Sequence, residues 1–291
     1  MLGTFTYPKN RQMSPVKVGA TAVTDHTVVL IGSLRGPGLT NSAMTTLVPG
    51  AALQPNPAAA PTVRQYIRYL FYKARPSWRQ LSVEQRDAAR TALLAALEPF
   101  AERLPVLRAF STLGTRADAD FLLWMVSERL EDFQELQAAV LRSPMGAHLD
   151  TPYSYLAMTK RSQYVDRHEH ADGDGEGRRT RIRPTGRQYL FVYPMVKKRP
   201  WYRLSREERQ RAMDEHIRVG HEFPRVKINT SYSFGLDDQE FVVAFETDYP
   251  ADFLDLVEKL RGGEASAYTE RETPIFTCVA GSVAEVLELL G

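Results

Sequence analysis

A chain of 291 residues is long enough for one large domain or two ordinary ones with real cores, and 43% hydrophobic with 25% charged residues is an ordinary globular composition. The formal net charge of +2, from 37 basic and 35 acidic side chains, gives no global reason to expect nucleic acid or an anionic membrane as a partner. The one cysteine, Cys278, lies in an apolar run (IFTCVAG) that reads as a buried strand, so an intrachain disulfide, a cysteine-rich zinc site and a CxxCH attachment motif are all excluded.

Residues 1–60 are poor in charge and rich in Gly, Pro, Ala, Thr and Ser, and read as an N-terminal extension. Within it Thr21 to Leu34 is predicted as a strand, and the proline-punctuated LVPGAALQPNPAAAP as a connector. GSLRGPG lacks the spacing of a phosphate-binding loop and is read as a turn. The N-terminus has no basic segment leading into a long apolar run, and no window approaches the roughly 18 apolar residues that span a bilayer. The expectation is a cytoplasmic protein with no membrane insertion.

From Arg64 the sequence repeats itself. RQYIRYLFYKARPSWRQLSVEQRDAAR, from Arg64, parallels RQYLFVYPMVKKRPWYRLSREERQRAM, from Arg187. Each carries a capping box, Ser82 with Gln85 and Ser205 with Glu208. Further on, the segment from Gly114 lines up with that from Gly235, and Thr151-Pro152 with Thr273-Pro274. Within each copy the pattern reads strand, helix, strand, strand, helix, strand: FLLWMV and FVVAF are strand-like, and LEDFQELQAAVLR and PADFLDLVEKLR have helical spacing. That order predicts an α+β fold of two ferredoxin-like repeats, 61–165 and 187–291, whose bare sheet faces cover one another. Residues 166–186 between them, dense in charge and glycine, read as a flexible linker; His168, His170, Asp172 and Asp174 there have cation-binding chemistry but nothing apolar to fix them.

The helix of the second copy begins near Arg206, and Ala212, His216, Val219 and Phe223 recur along one apolar stripe opposite Arg206, Glu207, Arg209, Arg211 and Asp214. His216 on that stripe is either a hydrogen-bonded core histidine or a metal ligand. The first copy sets Leu93 opposite it, so the fold itself does not need a histidine there. Tyr193 and Lys197 are matched by Tyr69 and Lys73 when the Arg-Pro pairs are aligned, which favours structural roles for both.

Four motifs in the second copy, YPMVKK at 193–198, WYRLSREERQRAMDEHIRVG, GLDDQEF at 235–241 and LRGGEASAY at 260–268, make the chain resemble the chlorite dismutase-like haem proteins, which include coproheme decarboxylases. The resemblance implies a dimeric α+β barrel, assembled as a homo-oligomeric ring of five, with a non-covalent iron porphyrin in the C-terminal half. It puts His216 at the proximal iron ligand and Glu264 at a carboxylate that accepts that histidine's hydrogen bond. It puts Tyr193 at a radical-forming tyrosine, Lys197 beside a propionate, and Met195, Arg261 and Ser266 along the porphyrin edge. Ile228 stands where chlorite dismutases carry a distal arginine, so chlorite decomposition is expected to be poor.

The resemblance therefore implies peroxide-dependent decarboxylation of coproheme to haem b, with porphyrin and hydrogen peroxide as the small-molecule partners. Its rivals are a haem carrier or sensor, a haem peroxidase with little chlorite dismutase activity, and a structural repeat protein without metal.

Overall fold

The computed structural model describes residues 63–164 and 181–291. The expected N-terminal extension with its strand at Thr21 to Leu34 and its GSLRGPG turn lies outside the described residues, as do His168, His170, Asp172 and Asp174.

Strand β1 (Tyr66–Ala74) is built from aromatic and aliphatic residues that alternate between two faces, and it ends where Arg75-Pro76 turns the chain into a short 3-10 segment. Helix α1 (Val83–Arg103) starts at the predicted capping box, with Gln85 N–H donating to Ser82 Oγ at 3.2 Å and Ser82 N–H to Gln85 Oε1 at 2.9 Å. Then come β2 (Val106–Ser111), β3 (Phe121–Ser127), α2 (Glu131–Arg142) and β4 (Leu149–Met158).

The second repeat follows the same order. It runs β5 (Tyr189–Lys197), a short α3 (Arg199–Arg203), α4 (Arg206–His221) behind its own capping box, β6 (Lys227–Tyr232), β7 (Phe241–Thr247) and α5 (Pro250–Arg261). A short helix α6 (Glu264–Ala267) and strand β8 (Thr269–Arg271) then precede β9 (Phe276–Gly281) and α7 (Val283–Glu288). Gly114 and Gly235 sit at matching places after the second strand of each repeat, with φ of +77° and +72°, the left-handed region that side chains disfavour.

Every strand pairing is antiparallel. The first repeat is ordered β4-β1-β3-β2 and the second β9-β5-β7-β6, the ferredoxin-like order in both. β2 joins β9 through Ala109 and Gly281, and β4 joins β6 through Met158 and Tyr232, so eight strands close on themselves and leave β8 attached to the end of β5. The molecule is thus two ferredoxin-like repeats forming a dimeric α+β barrel.

Its interior is filled from both repeats: Ile67, Tyr69 and Phe71 on β1 meet Leu190 and Val192 on β5, Val242 and Ala244 on β7, and Cys278 on β9. At about 1.5–3 kcal/mol for each large apolar side chain, this shared core is what welds the halves. Among the described residues no helix is long and apolar enough to cross a membrane.

Candidate functional site

The layers between sheet and helices differ sharply in the two repeats. In the first, Tyr72, Leu93, Phe121, Leu123 and Leu287 close together and leave about 10 Å³, room for no more than one water. In the second, the equivalent layer holds a cavity of about 920 Å³, near the top of the ~300–1,000 Å³ range of cofactor sites.

Its walls come from α4 (Arg209, Met213, His216, Ile217), the outer face of β5 and β6 (Tyr193, Met195, Ile228, Thr230), the end of α5 (Leu260, Arg261) and α6 (Ala265, Ser266). Seven of the eight predicted residues, Tyr193, Met195, Lys197, His216, Ile228, Arg261 and Ser266, meet around this one space. They meet there because strand alternation turns Tyr193 and Met195 outward, while the 3.6-residue period of α4 turns Met213 and His216 toward the sheet.

His216 is half-buried, with its ring on the cavity. Burial, assisted by the neighbouring Lys197 cation and opposed by Glu215, pushes its pKa down to about 4. The imidazole is therefore neutral at pH 7, the form that has a lone pair to give. Among the described residues no three His, Cys, Asp or Glu side chains gather to hold a bare metal ion. A metal at His216 would need the rest of its coordination from its own ligand, as a metalloporphyrin provides.

Tyr193 is buried and stacks on Phe245, with ring centroids 5.9 Å apart, and burial first, then the charge of Glu272, raises its pKa. Lys197 is buried too; its Nζ donates to Ala265 O at 2.8 Å and Thr269 Oγ1 at 3.1 Å and lies 5.0 Å from the centre of the Trp201 ring. Desolvation brings its pKa down to about 8. Ile228 is 38% exposed, beside the last turn of α4, and a Cβ added to Gly220 would come within 3.8 Å of its Cδ1.

Two residues lie elsewhere than expected. Glu264, the predicted hydrogen-bond acceptor for His216, does not line the cavity: it opens α6, is exposed, and reaches away to Arg211 at 3.5 Å. Its backbone N–H instead donates to Glu215 Oε2 at 3.0 Å. Nor does Tyr69 correspond to Tyr193. Tyr69 points into the barrel, stacked on Trp124 at 5.7 Å, whereas Tyr193 points out toward the helices. The chain advances 11 positions from Arg64 to Arg75 but 12 from Arg187 to Arg199, so aligning the Arg-Pro pairs slips the strands by one residue and exchanges their faces. Leu93, in contrast, does lie in the layer matching that of His216.

Sequence reasoning missed the strong charge of the cavity wall. Arg209 lines it, with Nε buried and without a partner, although its position had suggested the polar stripe. Seven residues before His216, it lies two turns away on the same face, and that spacing was the available signal. Lys160, Arg161, Lys227 and the linker-end Arg181 and Arg183 also line the cavity. Arg181 is held by Glu128 at 3.0 Å, and the following Ile182 N–H donates to Gln65 Oε1 at 2.8 Å. Glu272 is the one carboxylate among the described lining residues. A roomy, cation-rich cleft with one neutral imidazole suits a flat apolar ligand that carries carboxylates.

A family model described as chlorite dismutase matches residues 71–281. The coproheme decarboxylase of Mycolicibacterium smegmatis is 28% identical over 230 residues, covering 79% of this chain and 95% of that protein. The chlorite dismutase of Candidatus Nitrospira defluvii in complex with imidazole superimposes with a TM-score of 0.68 at 24% identity, over 77% of this chain and 94% of that one. A mutant of the same dismutase gives a TM-score of 0.69 at the same identity and coverage. Matched along most of its length, the chain belongs to the chlorite dismutase family.

Proposed function

We propose that this protein binds an iron porphyrin in the cavity of residues 187–291, with none in 61–165, and decarboxylates iron coproporphyrin to haem b with peroxide. The observation that carries the reading is the convergence of a neutral imidazole, a buried phenol and a ring of cations on a single cavity. The similarity to a coproheme decarboxylase supports the choice of substrate. In the net reaction each of two propionates loses its carboxylate as carbon dioxide and becomes a vinyl group, and each of these steps reduces its own peroxide to two waters.

His216 would hold the iron through its free lone pair. When bound, the iron porphyrin and peroxide supply the oxidising power. Tyr193 is kept protonated by burial, so an electron leaves it only together with its proton, and this suits the phenol to carry a neutral radical. Lys197, held by Ala265 and Thr269, offers a cation to a carboxylate beside Tyr193, and Arg261 and Ser266 orient the porphyrin edge. Met195, on the cavity wall, would pack against the ring.

The same reading takes the chain to be cytoplasmic and to assemble as a ring of five. It is tested by anaerobic reconstitution with iron coproporphyrin, addition of peroxide and mass analysis of the porphyrin. Tyr193→Phe is expected to bind as the parent does and to form product at least a hundredfold more slowly, on the order of the contribution of a positioned proton-transfer group; equal rates refute the radical role. Ile228 favours a second reading, a non-catalytic haem carrier, because an exposed alkyl group on the cavity wall donates no proton to peroxide. Porphyrin mass unchanged after peroxide selects it.

A further inference from the structure

At the end of α5 the Arg261 guanidinium is ion-paired with Glu272, the residue after β8. Both line the cavity, and the Glu272 side chain is only 16% exposed. This carboxylate stands alone among the described lining residues against Lys160, Arg161, Arg181, Arg183, Lys197, Arg209, Lys227 and Arg261. Its charge also reaches Lys197 and Tyr193 on β5.

The pair thus sets a carboxylate against the Nη1 side of an arginine, at the wall of a space otherwise lined by cations. A donor edge of a guanidinium takes one carboxylate at a time, so a ligand acid approaching the Nη1 side of Arg261 meets an edge already engaged. We propose that Glu272 occupies a ligand carboxylate subsite in advance and is exchanged off Arg261 by a porphyrin propionate, which makes Glu272 a specificity-determining residue of the cavity. Ligands with no carboxylate to place there leave the Arg261–Glu272 pair closed. Ligands that bring one replace a pair within the protein with a pair across the interface, and the freed Glu272 stays beside Lys197. This rests on the cavity being a porphyrin site.

The test is a binding titration with metal-free coproporphyrin, followed by its own fluorescence, so that the His216–iron bond plays no part. Four proteins are compared: parent, Glu272→Gln, Arg261→Gln and the double variant, with circular dichroism as the folding check and Glu272→Ser replacing the glutamine variant if that one precipitates. Glu272→Gln is expected to bind about tenfold more tightly than the parent, in the range measured for close interfacial charge pairs, and in the Arg261→Gln background the same change is expected to gain no more than about twofold. No gain, or an equal gain in both backgrounds, overturns the exchange, the second result assigning Glu272 to overall charge alone. Absence of binding in all four proteins overturns the porphyrin reading as well.

Discussion

Replacing His216 with leucine, the residue the first repeat places in the matching layer, separates what the imidazole costs the fold from what it gives the site. In the folded apoprotein its pKa is pushed down to about 4, against an ordinary 6.5, chiefly by burial. Between those values the unfolded chain binds more protons than the folded one, so stability rises with pH across the window and falls as the solution is acidified through it, with no further loss below about pH 4. For a shift of that size the imidazole costs about 2 kcal/mol more at pH 5 than at pH 7. The leucine variant has no such group, so its urea midpoint, followed by tryptophan fluorescence, is expected to fall less than the parent's from pH 7 to pH 5. Parallel pH profiles for the two apoproteins would refute the claim that this ring is buried as a neutral base. With iron porphyrin added, the same variant is expected to lose the spectrum of an imidazole-ligated iron.

Two further outcomes test the frame around the site. Gly235→Ala places a side chain at φ +72° where no atom lies within 4 Å, so only backbone strain opposes it, and a loss of about 1 kcal/mol in urea unfolding is expected; a loss of several would mean the turn is crowded. Glu246→Ala removes a fully buried carboxylate that holds Arg108 at 2.8 Å, Asn229 Nδ2 at 3.1 Å and the Thr185 N–H at 3.1 Å. Leaving those donors unpaired is expected to cost about 3–5 kcal/mol and to lower the melting temperature clearly, and a melt within a degree of the parent's would remove Glu246 as the tie between the repeats.

The architecture was legible because duplication prints the same order of elements twice, and the two capping boxes fix where the equivalent helices start. Face assignment along the strands turned on the one extra residue between Arg187 and Arg199, which aligning the Arg-Pro pairs hides and aligning Arg64 with Arg187 keeps. That is why Tyr69 passed for the counterpart of Tyr193. His216 was legible as the polar exception on an apolar stripe. Arg209 offered only its seven-residue spacing from His216 and Glu272 offered nothing, because a charged residue after a short strand ordinarily faces water, and the closure of α4, α5 and α6 around a common space turns both inward.

A duplicated fold begins with two equivalent layers, so what needs explaining is why only one of them stayed open. The first repeat passes almost directly from α2 into β4 through a tight 3-10 turn, where a Cβ on Gly146 would lie 2.1 Å from Val140 O, and Met145 is buried in the core beside it. α7, from the far end of the chain, then lays Val286 and Leu287 into the same layer and completes its packing. Among the described residues no helix of the first repeat is laid into the layer of the second in return. Between α5 and its last strand the second repeat carries α6 and β8 instead, which contribute Ala265, Ser266, Thr269 and Glu272 to the cavity wall rather than apolar bulk to its middle. The core that α7 adds to one side, at about 1.5–3 kcal/mol for each buried aliphatic residue, offsets part of the packing forgone on the other. The shared barrel interior joins both layers into one core, so the closed layer of the first repeat and the open, cation-lined layer of the second rest on the same packed strands.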